Sequence, residues 1–392
     1  MAMNKEQQYL LTLCRAYLYS ERITLREDID YEKLYVLAKS HNLTAICFCV
    51  IKNCANKAIV DAGLYKKFED VFFETVFRFE EQTKIIEDIR SLLTAADCDF
   101  VLFKGSEIRN YFPVAQARAM GDIDVLIPQD KRDSVKNLLC KNGYKIKNSN
   151  GPVYDYVKSN TLIEVHTKIV SGKVGNSNAE KFFENAIEHI CKNDRHTLEK
   201  NYNFAYLLTH IAHHFWFYGA GIKMILDLAV LQKKYSISFD TVLGYMEEIG
   251  LADFSKVILT VCYKWFGVGK DFGCSTQNAE QFLVSFGAFG NLNRNKAAVA
   301  QRKELEAGKN TSKAKTALHL LFPPYDKIKN IPYIRFIENR PWLLPAAWIY
   351  RILYNIIHRK KLVSDVASGL AKQETSEQAE YELKFFEEIG LL

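Results

Sequence analysis

The chain predicts an α+β fold, a small mixed β-sheet core flanked by N-terminal and C-terminal helical regions, and three observations carry that prediction. Apolar residues recur at helical spacing through the first part of the chain, as at Tyr9, Leu10, Leu13, Tyr17 and Leu18. From Cys98 the period shortens to that of strands, most clearly in Phe100-Val-Leu-Phe103 and Gly121-Asp-Ile-Asp-Val-Leu-Ile127. Beyond Lys200 the helical period returns. The chain therefore divides into an N-terminal helical region (1–96), an α/β core (97–195), a helical bundle region (196–306) and an aromatic-rich helical extension (307–392).

In the first region Glu6 to Tyr19, Asp30 to Lys39 and Leu43 to Lys52 read as amphipathic helices. Leu64 to Ala96 reads as a long one, carrying Phe68, Phe72, Val76, Phe79, Ile86, Ile89 and Leu93 as a core-packing stripe. In the core, the strand Phe100 to Phe103 runs into a short helix, Ser106 to Phe112, stopped before Pro113. Asp122 to Ile127 is a strand ended by Pro128, and Asp130 to Asn142 a helix closed by Gly143. Tyr144 to Lys147, Val153 to Lys158 and Thr161 to Ile169 are further strands, the first two joined at Ser149-Asn-Gly-Pro152.

The bundle region continues with helices at Phe204 to Tyr218, Thr241 to Ile249, Ala252 to Trp265, Ala279 to Phe286 and Ala297 to Leu305. Gly287 to Asn295, rich in Gly and Asn, reads as a mobile loop, and Ala307 to Lys315 as a polar connection. Phe322-Pro-Pro-Tyr325 and Asn339-Arg-Pro-Trp342 break the extension, and Ala371 to Glu388 reads as a charged terminal helix.

Lys and Arg number 52 against 46 Asp and Glu, a formal charge of +6 that does not mark a dedicated nucleic-acid binder. The nine cysteines are scattered without a CxxC pair, which argues against a zinc knuckle or redox motif and for reduced thiols in the cytoplasm. Met1 to Leu11 is too polar for a secretory signal. Trp342 to Ile357 is the most membrane-like stretch, but it contains Pro345, Arg351 and Asn355 and falls short of the ~20 apolar residues of a span. A helix packing on its own protein is expected there. The basic run His358-Arg-Lys-Lys361 leaves a peripheral membrane or partner-helix contact through Trp342 to Lys361 as the alternative.

The residue types that carry chemistry lie in the core. Asp122 and Asp124 alternate with Ile123 and Val125, so both carboxylates point to one face of their strand. Like charges that close repel unless a cation lies between them, and a divalent metal is the economical explanation. In Thr161 to Ile169, Leu162, Glu164 and His166 share a face, which makes Glu164 a third acidic group if the two strands are neighbours. Taken alone, that strand reads as a solvated edge. Gly105-Ser106 offers a backbone without a Cβ, followed by a hydroxyl, where a phosphate can approach. His210, His213 and His214 invite a zinc reading, but no HExxH glutamate accompanies them, and histidines that satisfy hydrogen bonds between packed elements are the default.

In this order, Leu102-Phe-Lys-Gly-Ser106, Arg118, Gly121-Asp-Ile-Asp-Val-Leu126 and Ile163-Glu-Val-His166 resemble an uncharacterised bacterial nucleotidyltransferase family of the polymerase-β-like superfamily. The likeness extends over roughly residues 25 to 240. It implies a nucleotidyltransferase core in which Asp122, Asp124 and Glu164 are catalytic and bind Mg²⁺ or Mn²⁺. Lys104, Gly105, Ser106 and Arg118 would bind the nucleotide, with a salt-bridge role equally open for Lys104 and Arg118. His166, His210, His213 and Asp227 are implied candidate substrate contacts, the last from Ile225-Leu-Asp-Leu228 after the His-rich helix.

The implied reaction is transfer of a nucleoside monophosphate from a triphosphate such as ATP to a hydroxyl or phosphate acceptor, by in-line attack on the α-phosphate. The acceptor is a small molecule, a sugar phosphate, a protein or an RNA end. The sequence departs from the superfamily pattern in the longer loop Pro113 to Met120 and in Glu rather than Asp at position 164. A non-catalytic nucleotide or phosphosugar binding protein on the same fold, or a membrane-associated accessory protein, are the alternatives.

Overall fold

Side-chain caps start the N-terminal helices where the apolar spacing begins. Helix α1 (Lys5–Tyr19) opens with a reciprocal capping box between Asn4 and Gln7, and Asp30 accepts from the Lys33 N–H at the start of α2 (Tyr31–Ser40). Helix α3 (Thr44–Ile51) is buried on every side, and α4 (Ala62–Ala95) runs uninterrupted for 34 residues from an Asp61 cap. At 1.5 Å per residue it is about 50 Å long. Its C-terminal half supplies Ile85, Ile86, Ile89 and Leu93 to the sheet, while Phe73 and Phe77 in its middle are exposed.

The computed structural model describes residues 3–191, 194, 196–217, 219–285 and 287, then 302, 305, 318, 321–329, 331–359 and 374–392. Two compact units result, Met1–Leu292 with Gly390–Leu392, and Asn293–Ile389. The expected loop Gly287 to Asn295, the helix Ala297 to Leu305 and the connection Ala307 to Lys315 lie, apart from single positions, outside the described residues.

The sheet of the first unit has five strands in the order β1-β2-β5-β4-β3. These are β1 (Val101–Leu102), β2 (Asp122–Leu126), β3 (Lys145–Asn148), β4 (Val153–Lys158) and β5 (Thr161–His166). Strands β2 and β5 pair in parallel, and every other pair is antiparallel. Strand β1 is shorter than its apolar run because the chain turns at Lys104 into α5 (Gly105–Ile108). Strand β5 lies between β2 and β4, so the solvated-edge reading of its polar face does not hold.

Alternation then divides the sheet chemically. Ile123, Val125, Ile163 and Val165 face α4 and Val135 and Leu139 of α6 (Arg132–Lys141), forming one buried cluster. The residues between them face the other way. That polar face is closed by α8 (Lys200–Phe217) and α9 (Ile222–Lys234), which follow the short α7 (Ala179–Phe182). Helices α10 (Phe239–Ile249), α11 (Ala252–Phe266) and α12 (Gln277–Ser285) complete the unit, with Gly250 and Gly267 at positive φ ending the first two.

In the second unit α13 (Tyr325–Ile328), α14 (Leu344–His358) and α15 (Glu374–Glu388) are described, and Ile328, Ile334, Ile337 and Ala347 form a small core. Pro345 sits in the first turn of α14, where its missing N–H costs nothing. Trp342, Ile349, Leu353 and Ile357 are exposed. Among the described residues no helix is long and apolar enough to cross a membrane.

Candidate active site

The register of the one parallel pair builds the site. Asp122 lies opposite Leu162, Asp124 opposite Glu164 and Leu126 opposite His166, so Asp124 and Glu164 project side by side from the polar face. Asp124 is 2% exposed. Its Oδ1 accepts from Lys104 Nζ at 2.7 Å and lies 3.0 Å from His166 Nε2, which is also 3.3 Å from Glu164 Oε2. Ligand atoms of Asp124, Glu164 and His166 all fall within 4.8 Å of one another, and Asp122 stands beside them on the same strand.

Burial and pairing set the protonation states in this cluster. Burial pushes the Asp122 carboxyl up to about 6, and the neighbouring Asp124 charge adds to the shift. Burial acts on Asp124 in the same direction, but Lys104 and His166 outweigh it and hold its carboxyl below the usual range. Lys104 and His166 respond in kind. Burial opposes their charge, yet Asp124 keeps the ammonium protonated, and hydrogen bonds to Asp124 and Glu164 raise the imidazole. Lys104, Asp124 and His166 thus favour one another's charged forms, while among the described residues Asp122 has no ion pair.

The turn after β1 delivers Lys104. Its φ of +52° is a costly conformation for a residue with a Cβ. Gly105 follows because a Cβ there would lie 2.7 Å from Arg118 Nη1 and 3.0 Å from Met120 Cγ. Ser106 Oγ accepts from the Asp124 N–H at 3.0 Å, tying α5 to β2.

The long loop that departs from the family pattern is itself ordered, with one turn at Ala115–Ala117. It carries Arg118 into a buried two-pronged ion pair with Asp227 of α9, at 2.9 and 2.8 Å. Of the two roles open to Arg118, the structure contains the salt bridge. Lys104 likewise meets a carboxylate.

A cavity of about 430 Å³ opens over this face. Lys104, Gly105, Arg118, Asp122, Asp124, Glu164, His166, His210, His213 and Asp227 all line it, while Ser106 does not. The helical wall differs from the sheet wall. His210 meets the His214 ring edge-on at 4.6 Å and stacks on Tyr206. Burial, then the neighbouring histidine, pushes His210 well below the usual imidazole range and His214 down to about 4. Among the described residues, the group able to hold a metal is Asp124, Glu164 and His166, with no member from α8.

Lys223 and Tyr206 are among the lining residues that escaped the sequence reading. Lys223 donates to the Ala119 carbonyl at 3.3 Å, and burial, then Arg118, pushes its ammonium down to about 8. Tyr206 completes the floor against Phe103. Helical spacing would have found both, since Lys223 precedes Asp227 and Tyr206 precedes His210 by four positions.

The donor set fits a hard divalent cation. Asp122, Asp124 and Glu164 offer carboxylate oxygens as Mg²⁺ and Mn²⁺ prefer, and His166 adds a nitrogen within reach of Asp124 and Glu164. The family described as uncharacterised nucleotidyltransferase matches residues 27–267, from before α2 to just past the end of α11, which is more than half of the chain. No curated protein and no solved structure matches it.

Proposed function

The chain belongs to the uncharacterised nucleotidyltransferase family, and on that premise we propose that it transfers a nucleoside monophosphate from a nucleoside triphosphate to a hydroxyl or phosphate acceptor with Mg²⁺ or Mn²⁺. The observation that carries the proposal is the parallel β2–β5 register, which aligns Asp122, Asp124 and Glu164 on one polar face lining a cavity. Asp122, Asp124 and Glu164 would hold the divalent ion. When bound, it neutralises phosphate charge and orients the reacting oxygens.

The chain's own groups do the rest. Lys104 keeps its proton and supplies a cation at the mouth of the turn, where nucleotide phosphates approach Gly105. His166 bridges Asp124 and Glu164 and fixes both carboxylates in place. Asp227 locks Arg118 against the Gly105 turn, so the cradle is rigid before substrate enters. Glu164, only partly buried, would complete the metal site or accept the acceptor's proton. His210 and His213 border the space for the nucleotide or acceptor.

The test is purified protein with each labelled triphosphate, Mg²⁺ or Mn²⁺ and cell extract, comparing wild type with Asp122→Ala/Asp124→Ala. We expect labelling of an extract component that falls by at least about 10²-fold in the double variant, the scale of a lost electrostatic anchor. Equal labelling by both, or none by either, overturns catalysis. One observation favours a second reading, nucleotide binding without chemistry: Lys104 Nζ and His166 Nε2 already converge on Asp124 Oδ1. Triphosphate binding by wild type with no labelling would select it.

A further inference from the structure

A second cavity, of about 540 Å³, lies between α2, the start of α3 and the middle of α4. It shares Arg118, Met120 and Gly121 with the first, so the segment leading into Asp122 is a wall common to both. Its size falls in the range of about 300–1,000 Å³ of small-molecule sites.

Its far end has the makings of an anion site. Helix α3 begins at Thr44 with no side-chain cap, so the N–H groups of its first turn lack one of their usual partners. Thr44 is 2% exposed and lines the cavity, and among the described residues its Oγ1 has no hydrogen-bond partner. A buried hydroxyl left in that state is costly unless a ligand meets it. Lys39 and Arg78 line the same space. Two other charged residues of the wall are engaged elsewhere, Lys67 with Glu32 at 3.2 Å and Asp70 with Lys66 at 3.1 Å. Glu74 remains to accept from hydroxyl groups.

We propose that the second cavity binds the acceptor, a small hydroxylated phosphomonoester, with its phosphate at the N-terminus of α3 on Thr44, Lys39 and Arg78 and its reacting hydroxyl toward Gly121 and Asp122. The proposal rests on the nucleotidyltransferase reading. Triphosphate lies at the carboxylates and the phosphate end of the acceptor in the second cavity, with the acceptor passing the Arg118–Gly121 segment that lines both so that its hydroxyl enters the first. In the transfer, the acceptor oxygen bonds to the α-phosphorus as the bond from that phosphorus to the β-bridging oxygen breaks. Pyrophosphate leaves with the electron pair, and the hydroxyl proton passes to Glu164.

Glycerol 3-phosphate and inorganic phosphate, titrated calorimetrically into the full chain, test the site directly. Thr44→Val keeps the side-chain shape and removes only the hydroxyl. We expect glycerol 3-phosphate to bind wild type, and Thr44→Val about tenfold or more weakly, the worth of one hydrogen bond to a charged group. The melting temperature of Thr44→Val should be no lower than that of wild type, because an unpartnered buried hydroxyl is gone. Arg78→Gln should weaken binding likewise while leaving triphosphate binding unchanged. Inorganic phosphate binding as tightly as glycerol 3-phosphate overturns the acceptor assignment in favour of a free-anion site.

A second arm pretreats the extract with phosphatase, which is then removed, before labelled triphosphate is added. Loss of labelling supports a phosphomonoester acceptor. Labelling that survives both phosphatase and Thr44→Val overturns this inference alone. Labelling absent from wild type, with glycerol 3-phosphate still bound, overturns the nucleotidyltransferase reading and the acceptor role together.

Discussion

On the sheet wall of the first cavity Lys104 and His166 each lie within 3.0 Å of Asp124 Oδ1 and the charged form of all three is favoured, whereas on the helical wall His210 and His214 face one another and are held neutral. Both walls are enclosed, so burial alone does not decide the outcome. Parallel pairing on the sheet brings opposite charges together at matched positions, and Coulomb attraction in a poorly solvated site outweighs desolvation. Spacing of i, i+4 on α8 brings like groups together, and desolvation wins. The sheet side therefore favours charge where phosphates would lie, while α8 contributes aromatic rings and neutral histidines and α9 the charged Lys223 and Asp227.

The Arg118–Asp227 pair, with the Lys223–Ala119 hydrogen bond beside it, links the loop before β2 to α9. Removing one partner leaves a buried charge without compensation, so Asp227→Asn should lower unfolding free energy by about 3–5 kcal/mol, read by urea denaturation. The double change Arg118→Met/Asp227→Leu removes both charges and should recover most of that loss. A double variant as unstable as the single one would mean that the pair matters for its shape and not for its charge.

Acid should separate the walls in sign. The His214 pKa falls from 6.5 to about 4 on folding, so the unfolded chain binds the proton first. Its contribution to stability is complete above pH 6.5 and is lost as pH falls toward 4. At pH 5 the loss is about 2 kcal/mol, and His214→Gln should be spared it relative to its own stability at pH 7.5. His166 has the opposite shift. Its contribution is present below the unfolded value and disappears as pH rises through the folded one, so His166→Gln should tilt the curve the other way. Parallel tilts in the two variants would contradict the contrast between the walls.

The sequence made the sheet wall legible and the helical wall much less so. Alternation fixes which face Asp122, Asp124, Glu164 and His166 occupy, because a strand has only two faces. It does not fix which strands are neighbours, and Glu164 gained its place only when β5 proved to lie between β2 and β4. The helices were legible as elements, α4 and α8 to within a few residues, because their apolar periods are long. Lys223 and Tyr206 were legible only through their spacing of four from Asp227 and His210, since a lysine or tyrosine in an apolar helix carries no mark of its own. Thr44 was invisible for a stronger reason: an uncapped helix start can be recognised only once the space in front of it is known.

Ser106 gives the smallest and most specific test of the contrast, because its residue type suggests a phosphate contact and its geometry a structural one. The hydroxyl is 1% exposed, lies off the cavity lining and accepts the Asp124 N–H, so it acts on the sheet wall from behind. Ser106→Ala leaves that backbone N–H buried and unpaired, at a cost of about 1–2 kcal/mol by urea denaturation. The consequence for the site is displacement of Asp124 relative to Lys104, so labelling should fall while the affinity for triphosphate, measured with a fluorescent analogue, changes little. If affinity drops and stability does not, the hydroxyl reaches the phosphate directly, and the carboxylate face is then held by β-sheet register alone.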